Sequence, residues 1–306
     1  MNSIPSAIVP ILVLILLGYA LKRARFLPDE SWPGMEKLTY FILFPSLLVR
    51  ELANQKLSGV PWPSMLIVAL GALLTASAAM LLWRAFRPSI PGPTFTSIFQ
   101  GGVRFNTYIA LAVAQALFGS EGLQLASVAA GFMIVIINIL CVAVLSVWGR
   151  PEARESRTVI REIIANPLII GCVVGWLLSV TGIGLSGIPG EALNIVSRAA
   201  LPFGLLAVGA ALRPGVVRGH LGSIAASSAV QFGIKPLTAV LLVRLTGLTG
   251  AAGGTLLLAL TTPTAPTAYI LARQLGGETD TMASIITAQT VMAFLVMPVW
   301  YLIAFS

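Results

Sequence analysis

The stretch Phe99-Gln100-Gly101-Gly102-Val103-Arg104-Phe105-Asn106-Thr107 lies inside an apolar run long enough to cross a bilayer, yet it should not be helical throughout. Thr261-Thr262-Pro263-Thr264-Ala265-Pro266-Thr267 repeats the pattern in the second half of the chain. Glycine, proline and short polar side chains leave main-chain groups without helical partners. Hydrocarbon tolerates such backbone only where it lines a cavity or is covered by protein. Two interrupted segments in corresponding places are a sequence pointer to the substrate site of a secondary transporter. Gly101, Gly102, Pro263 and Pro266 are the expected helix-break residues.

The surrounding composition fits that reading. Of 306 residues, 57% are hydrophobic and 10% charged, and mean hydropathy is +0.93. Soluble domains carry about 25% charged residues, so an integral membrane protein with short loops is expected. The net charge of +8 is no nucleic-acid footprint, because the basic residues form neither a stripe nor a cluster with aromatics. The bilayer is the expected partner and nucleic acid is not. Cys141 and Cys172 fall within apolar runs and read as buried thiols, with no C-x-x-C spacing for a metal. The run Ile4–Leu21 is followed, not preceded, by Lys22, Arg23 and Arg25, so it reads as a first span and not as a signal peptide.

A membrane helix needs roughly 17–25 residues. That length places ten spans near 4–21, 35–50, 64–86, 93–118, 121–148, 163–181, 191–212, 221–244, 252–272 and 282–304, the fourth and ninth being broken. One side then receives thirteen basic residues, namely Lys22, Arg23, Arg25, Lys37, Arg84, Arg87, Arg150, Arg154, Arg157, Arg161, Arg213, Arg218 and Arg273. The other receives Arg50, Lys56 and Arg244. The basic side is expected to be cytoplasmic, with both termini outside a multi-pass protein of the cytoplasmic (inner) membrane.

An internal repeat agrees with ten spans. Pro10, Gly18 and Pro45 recur as Pro167, Gly175 and Pro202 at a constant offset of 157. Asn106-Thr107-Tyr108-Ile109 returns as Thr267-Ala268-Tyr269-Ile270. Five spans per repeat is an odd number, so the halves, 1–150 and 151–306, must be inverted across the membrane. The expected fold is all-α: ten transmembrane helices in two inverted five-helix repeats, with broken fourth and ninth helices that cross.

Each break offers a half-helix N-terminus whose free N–H groups attract an anion. Asn106 and Thr267 stand at these restarts, and both are good N-cap types. Lys235 and Arg104 fall inside spans, where a cation costs at least about 2.5–3.5 kcal/mol. Every acidic residue lies in a loop or at a span end, so neither has an obvious carboxylate partner. They either cap helix carbonyls or hold an anionic ligand. Arg198 is nearer a span end and is expected to snorkel. The expected substrate site is therefore Arg104, Asn106, Thr107, Thr264 and Thr267, with Lys235 in support. A proton/cation exchanger's carboxylate relay is missing, although Gln231, Asn138, Gln289 and Thr287 offer neutral oxygens for sodium. Enzyme chemistry is not expected, since His220 is the one histidine and the intramembrane serines have no credible base.

Four segments carry a family likeness: Phe41-Ile42-Leu43-Phe44-Pro45; Arg104-Phe105-Asn106-Thr107; Leu201-Pro202-Phe203-Gly204-Leu205-Leu206 with Gly209-Ala210-Ala211-Leu212; and Pro263-Thr264-Ala265-Pro266-Thr267 leading to Leu271-Ala272-Arg273-Gln274. On these the chain resembles the auxin efflux carrier family, in its bacterial branch that includes malonate permeases. The resemblance implies a scaffold and a transport domain, an elevator-like movement, substrate bound where helices four and nine cross, and a homodimer. Asn106 matches the family's characteristic asparagine. Val113 replaces the proline common seven residues later, and Thr267 replaces the asparagine often found in the ninth span.

The leading expectation is a secondary transporter for a small organic anion, a mono- or dicarboxylate, needing no cofactor and coupled to H+ or Na+. The alternatives are a sodium-coupled organic-anion symporter resembling bile acid transporters and, from another class, a non-transporting membrane receptor.

Overall fold

The computed structural model describes residues 4–53, 59–150 and 165–305, and every regular element among them is helical. Lys56, Arg154, Arg157 and Arg161, counted above for orientation, lie outside the described residues. In chain order the helices are α1 (Ile4–Arg23), α2 (Ser31–Leu38), α3 (Phe44–Ala53), α4 (Trp62–Ala85), α5 (Gly92–Val103), α6 (Thr107–Trp148) and α7 (Pro167–Val180). They continue as α8 (Gly187–Arg198), α9 (Ala200–Ala210), α10 (Leu221–Ala229), α11 (Lys235–Leu245), α12 (Gly250–Thr261), α13 (Thr267–Gln274) and α14 (Thr279–Phe305).

Among the described residues, six stretches are long and apolar enough to cross a membrane: Ser6–Arg23, Trp62–Ala85, Gly92–Trp148, Gly187–Ala210, Pro214–Leu245 and Thr279–Phe305. The described residues are thus all-helical, and the chain is of integral-membrane type. Leu16, Leu17, Leu82, Leu295 and Leu302 are exposed on its outside, where lipid tails and not water are the fitting solvent. Gly92–Trp148 contains two of the expected spans. Its backbone leaves helical geometry at Gly119 (φ 63°, ψ −144°), between 93–118 and 121–148. That left-handed position costs a glycine nothing sterically.

The expected run at 35–50 is built in three pieces. Between α2 and α3 lies a π-helical turn, Thr39–Leu43, and a second one, Val230–Ile234, separates α10 from α11. Prolines explain both. A proline ring crowds the carbonyl four residues earlier and supplies no N–H to it. For Pro45 and Pro236 those carbonyls belong to Phe41 and Phe232, each inside the widened turn. The Phe232 carbonyl accepts instead from Trp300 Nε1 at 2.7 Å.

Packing falls into two sets. Helix α1 lies along α9, and α3 lies along α7 and α8. Helices α4, α5, α10, α11, α12 and α14 pack among themselves, and α6 touches both sets. Small residues set the spacing in the first set. A Cβ on Gly18 of α1 would come within 2.8 Å of Leu206 Cα in α9, and one on Gly175 of α7 within 3.2 Å of Val49 Cα in α3. These are the two glycines that the 157-residue offset relates. Cys141 and Cys172 are buried, free thiols.

Candidate functional site at two helix breaks

Helix α5 stops at Val103, and Arg104 is extended (φ −68°, ψ 161°). The chain restarts as α6 after Asn106 (φ −96°, ψ 101°). In the second half α12 stops at Thr261, Thr262 is extended (φ −66°, ψ 157°), and α13 begins at Thr267. Both breaks therefore form, with the first shifted from where glycine content put it. Gly101 and Gly102 are helical residues of α5, not members of the gap. Their smallness serves packing: a Cβ on Gly101 would lie 2.9 Å from Ser227 Cβ, and one on Gly102 would lie 2.9 Å from Met80 Sδ. Pro263 lies in the second gap, and Pro266 occupies the N-cap position of α13.

Main-chain groups freed by a break must find partners where no water is available. Here the two breaks largely satisfy one another. Asn106 N donates to Thr262 Oγ1 at 3.0 Å, and that hydroxyl donates to Ala259 O at 2.8 Å. Thr264 Oγ1 donates to Gly101 O at 3.1 Å, and Gln289 Nε2 reaches the same carbonyl at 2.9 Å. Gln289 Oε1 accepts from Thr264 N at 3.1 Å. Gln231 Nε2 donates to Thr262 O, and Gln231 Oε1 accepts from Lys235 Nζ at 2.5 Å. Residues more than 150 positions apart are thus joined in one buried network.

The predicted site residues divide by role. Asn106 is a true N-cap: its Oδ1 accepts from Tyr108 N at 3.0 Å and Ile109 N at 3.2 Å. Its Nδ2 is buried and has no partner among the described residues. Thr267 does not cap, contrary to expectation, because it is already the first helical residue and Pro266 precedes it without a side-chain bond. Thr264 is fully buried and ties one break to the other. Lys235 is also fully buried, and it donates to the Arg104 and Val103 carbonyls at 3.2 and 3.4 Å. Carbonyl capping, one of the two roles open to it, is formed. Arg198, by contrast, is exposed.

Arg104, Thr107 and Thr267 meet around a chamber of about 30 Å³, shared with Tyr40, Asn138 and Asn166. That is room for about two waters. Arg104 Nη1 donates to Asn138 Oδ1 at 3.3 Å. Tyr40 and Thr267 also line a second cavity of about 560 Å³, whose wall includes Lys22, Lys37, Arg213 and Arg273 against Asp29 and Glu36. Its volume suits a small organic ligand. Asp29 is held by Lys22 Nζ at 2.7 Å, and this ammonium keeps the exposed Asp29 carboxyl below its ordinary range. The wall is consequently biased positive. Arg213 stacks over the Tyr269 ring at 5.0 Å.

Tyr40 and Asn166 are chamber residues beyond those expected from the sequence. Tyr40 sits in the Thr39–Leu43 turn, which only the later Pro45 foreshadows. Asn166 caps α7, accepting from Leu168 N at 2.9 Å and Ile169 N at 3.3 Å. The dipeptide Asn166-Pro167, a capping type followed by proline at the first helical position, was its available signal. The four neutral residues considered for sodium all have protein partners: Asn138 with Arg104, Gln231 with Lys235 and Thr262, Gln289 with Gly101 and Thr264, and Thr287 with Arg213 N and Ala283 O. Among the described residues no group of His, Cys, Asp and Glu is placed to hold a metal ion.

Known proteins resemble this chain along its whole length. A family model described as membrane transport protein matches residues 3–301. A protein of Methanothermobacter thermautotrophicus named "uncharacterized transporter" is 23% identical over 296 residues, covering 96% of each chain. An "uncharacterized transporter" of Methanocaldococcus jannaschii is 24% identical over 306 residues, covering 95% of each. A match of that extent, over the two breaks and the helices that hold them, makes this chain a member of the membrane transport protein family, the auxin efflux carrier family that its motifs resemble.

Proposed function

We propose that this membrane transporter moves a small organic anion, a mono- or dicarboxylate, across the cytoplasmic membrane by alternating access. The observation that carries the reading is the meeting of the two breaks in one buried network. There, Asn106 offers an amide N–H unpaired among the described residues, beside the restart of α6, and Arg104, two residues away, donates to the neutral Asn138. Helix N-termini and cations both favour negative charge. The positively biased 560 Å³ cavity supplies the approach, and Tyr40 with Thr267 separates it from the inner chamber.

We propose the following architecture for that movement. Ten spans form two inverted repeats, with the short helices α7, α12 and α13 and the α2–α3 pieces completing the six long stretches. The broken helices cross at the site. The set α1, α3, α7, α8 and α9 acts as scaffold, while the set around α5 and α12 moves in an elevator-like shift. Positive residues face the cytoplasm and both termini face outward, so the large cavity is open to the cytoplasm in this conformation. Two such chains form the homodimer.

Reconstitution tests this. Purified protein in liposomes, given radiolabelled carboxylates under an imposed pH or sodium gradient, is expected to accumulate at least one. Short dicarboxylates come first, given the malonate-permease likeness. Saturable binding without flux would replace the transporter by a receptor.

A further inference from the structure

Among the described residues Lys235 is the one fully buried lysine, and no carboxylate pairs with it. Its Nζ is surrounded by three oxygens: Gln231 Oε1 at 2.5 Å, Arg104 O at 3.2 Å and Val103 O at 3.4 Å. An ammonium has three N–H donors and a neutral amine two, so three acceptors match the charged form. Two of these oxygens are carbonyls where α5 ends, the negative end of a half-helix. The third is aimed at Lys235 because Gln231 spends its Nε2 on Thr262 O in the other break.

Neutral oxygens at the C-terminal end of an interrupted helix are what discontinuous-helix carriers use to hold a coupling cation. We infer that the Lys235 ammonium is a tethered replacement for such an ion, filling the cation seat between the breaks so that the protein runs without sodium there. The side chain supplies the positive charge that the carbonyls need, and it cannot dissociate. The turn Val230–Ile234 contributes by bringing Gln231 and Lys235 onto one set of oxygens. This inference deepens the transport reading and rests on it for what coupling means, whereas the seat itself can be tested without flux.

The test is thermal unfolding of detergent-purified protein in NaCl against choline chloride at equal ionic strength. Wild type is expected to unfold at the same temperature in both. Lys235→Ala empties the seat, so Na+ or methylammonium is expected to raise its unfolding temperature by about 2–4 °C over choline. Lys235→Met fills the space without charge and is expected to ignore Na+. A wild type stabilised by Na+ overturns the inference, as does a folded Lys235→Ala equally stable in all three salts. If Lys235→Ala does not accumulate, the wild-type arm and binding of labelled Na+ to wild type decide the matter. A protein that carries nothing, yet shows these salt responses, would sink the transport reading and leave this one standing. Sodium-dependent uptake by wild type would do the reverse.

Discussion

Replacing Asn106 separates capping from ligand contact. Its Oδ1 holds two main-chain N–H groups of α6, while its Nδ2 is buried with no partner among the described residues. Serine caps about as well as asparagine, and alanine loses about 0.5–2 kcal/mol at such a position. The serine hydroxyl stands where the asparagine Cγ stands, one bond short of Nδ2. Asn106→Ser should therefore fold nearly as well as wild type but lose the contact to a carboxylate. A hydrogen bond to a charged group is worth about 1.5–3 kcal/mol, which corresponds to roughly 10–150-fold in affinity. Asn106→Ala should show the same loss and also unfold earlier. Uptake into proteoliposomes, measured beside thermal unfolding of the same preparations, reads both quantities. Asn106→Ser with uptake within twofold of wild type would refute the reasoning. So would serine and alanine variants in which uptake falls only in step with stability.

Three further outcomes follow from packing and charge. Gly101→Val drives methyl groups toward Ser227 and Ile285 and should destabilise by about 1–3 kcal/mol, seen as a lower unfolding temperature; an unchanged midpoint would deny the close approach of α5 to α10 and α14. Trp300→Phe leaves the Phe232 carbonyl without its 2.7 Å donor and should cost about 1–3 kcal/mol, whereas Trp300→Phe at wild-type stability would show that water or relaxation satisfies that carbonyl. Glu278, in the turn before α14, accepts from Thr281 N at 2.6 Å and Asp280 N at 3.2 Å and faces His220 Nε2 at 4.0 Å. Burial pushes its carboxyl up, but the bonds from Thr281 and Asp280 and the nearby His220 outweigh that and leave it below the ordinary glutamate value. A depressed carboxyl adds stability above the unfolded value of about 4.3, and this stability is lost as pH falls through the folded one. Wild type should then lose unfolding temperature below about pH 4 more steeply than Glu278→Gln, and parallel acid limbs would remove Glu278 from the account.

Much of this architecture was legible because membrane helices announce themselves by length and composition, and because proline cannot continue a helix. Pro263 and Pro266 located the second break correctly. Glycine misled at the first one: Gly101 and Gly102 remain helical, since glycine permits a break without forcing it, and here its value lies in the approach of Ser227 and Ile285. Thr267 illustrates a second limit. A capping residue type caps only if the chain enters the helix one residue later, and the turn at Pro266 shifts that entry. Lys235 could be recognised as an unusual intramembrane cation, but its three oxygen partners come from residues 4, 131 and 132 positions away. Only the Gln231 contact follows a local i, i+4 pattern; nothing local reveals the two carbonyls of the first break. Tyr40 was hidden for a related reason, since the widened turn that carries it follows from a proline further along the chain.

Equilibrium binding of a radiolabelled carboxylate to purified wild type and to one variant from each break addresses the central claim most directly. With the best-transported carboxylate, Arg104→Gln and Thr267→Val should each weaken binding. Combined, they should weaken it by less than the sum of the two, because both residues would face one ligand. Wild-type affinity retained in either single variant, or strictly additive losses, would contradict an anion site shared by the two interrupted helices.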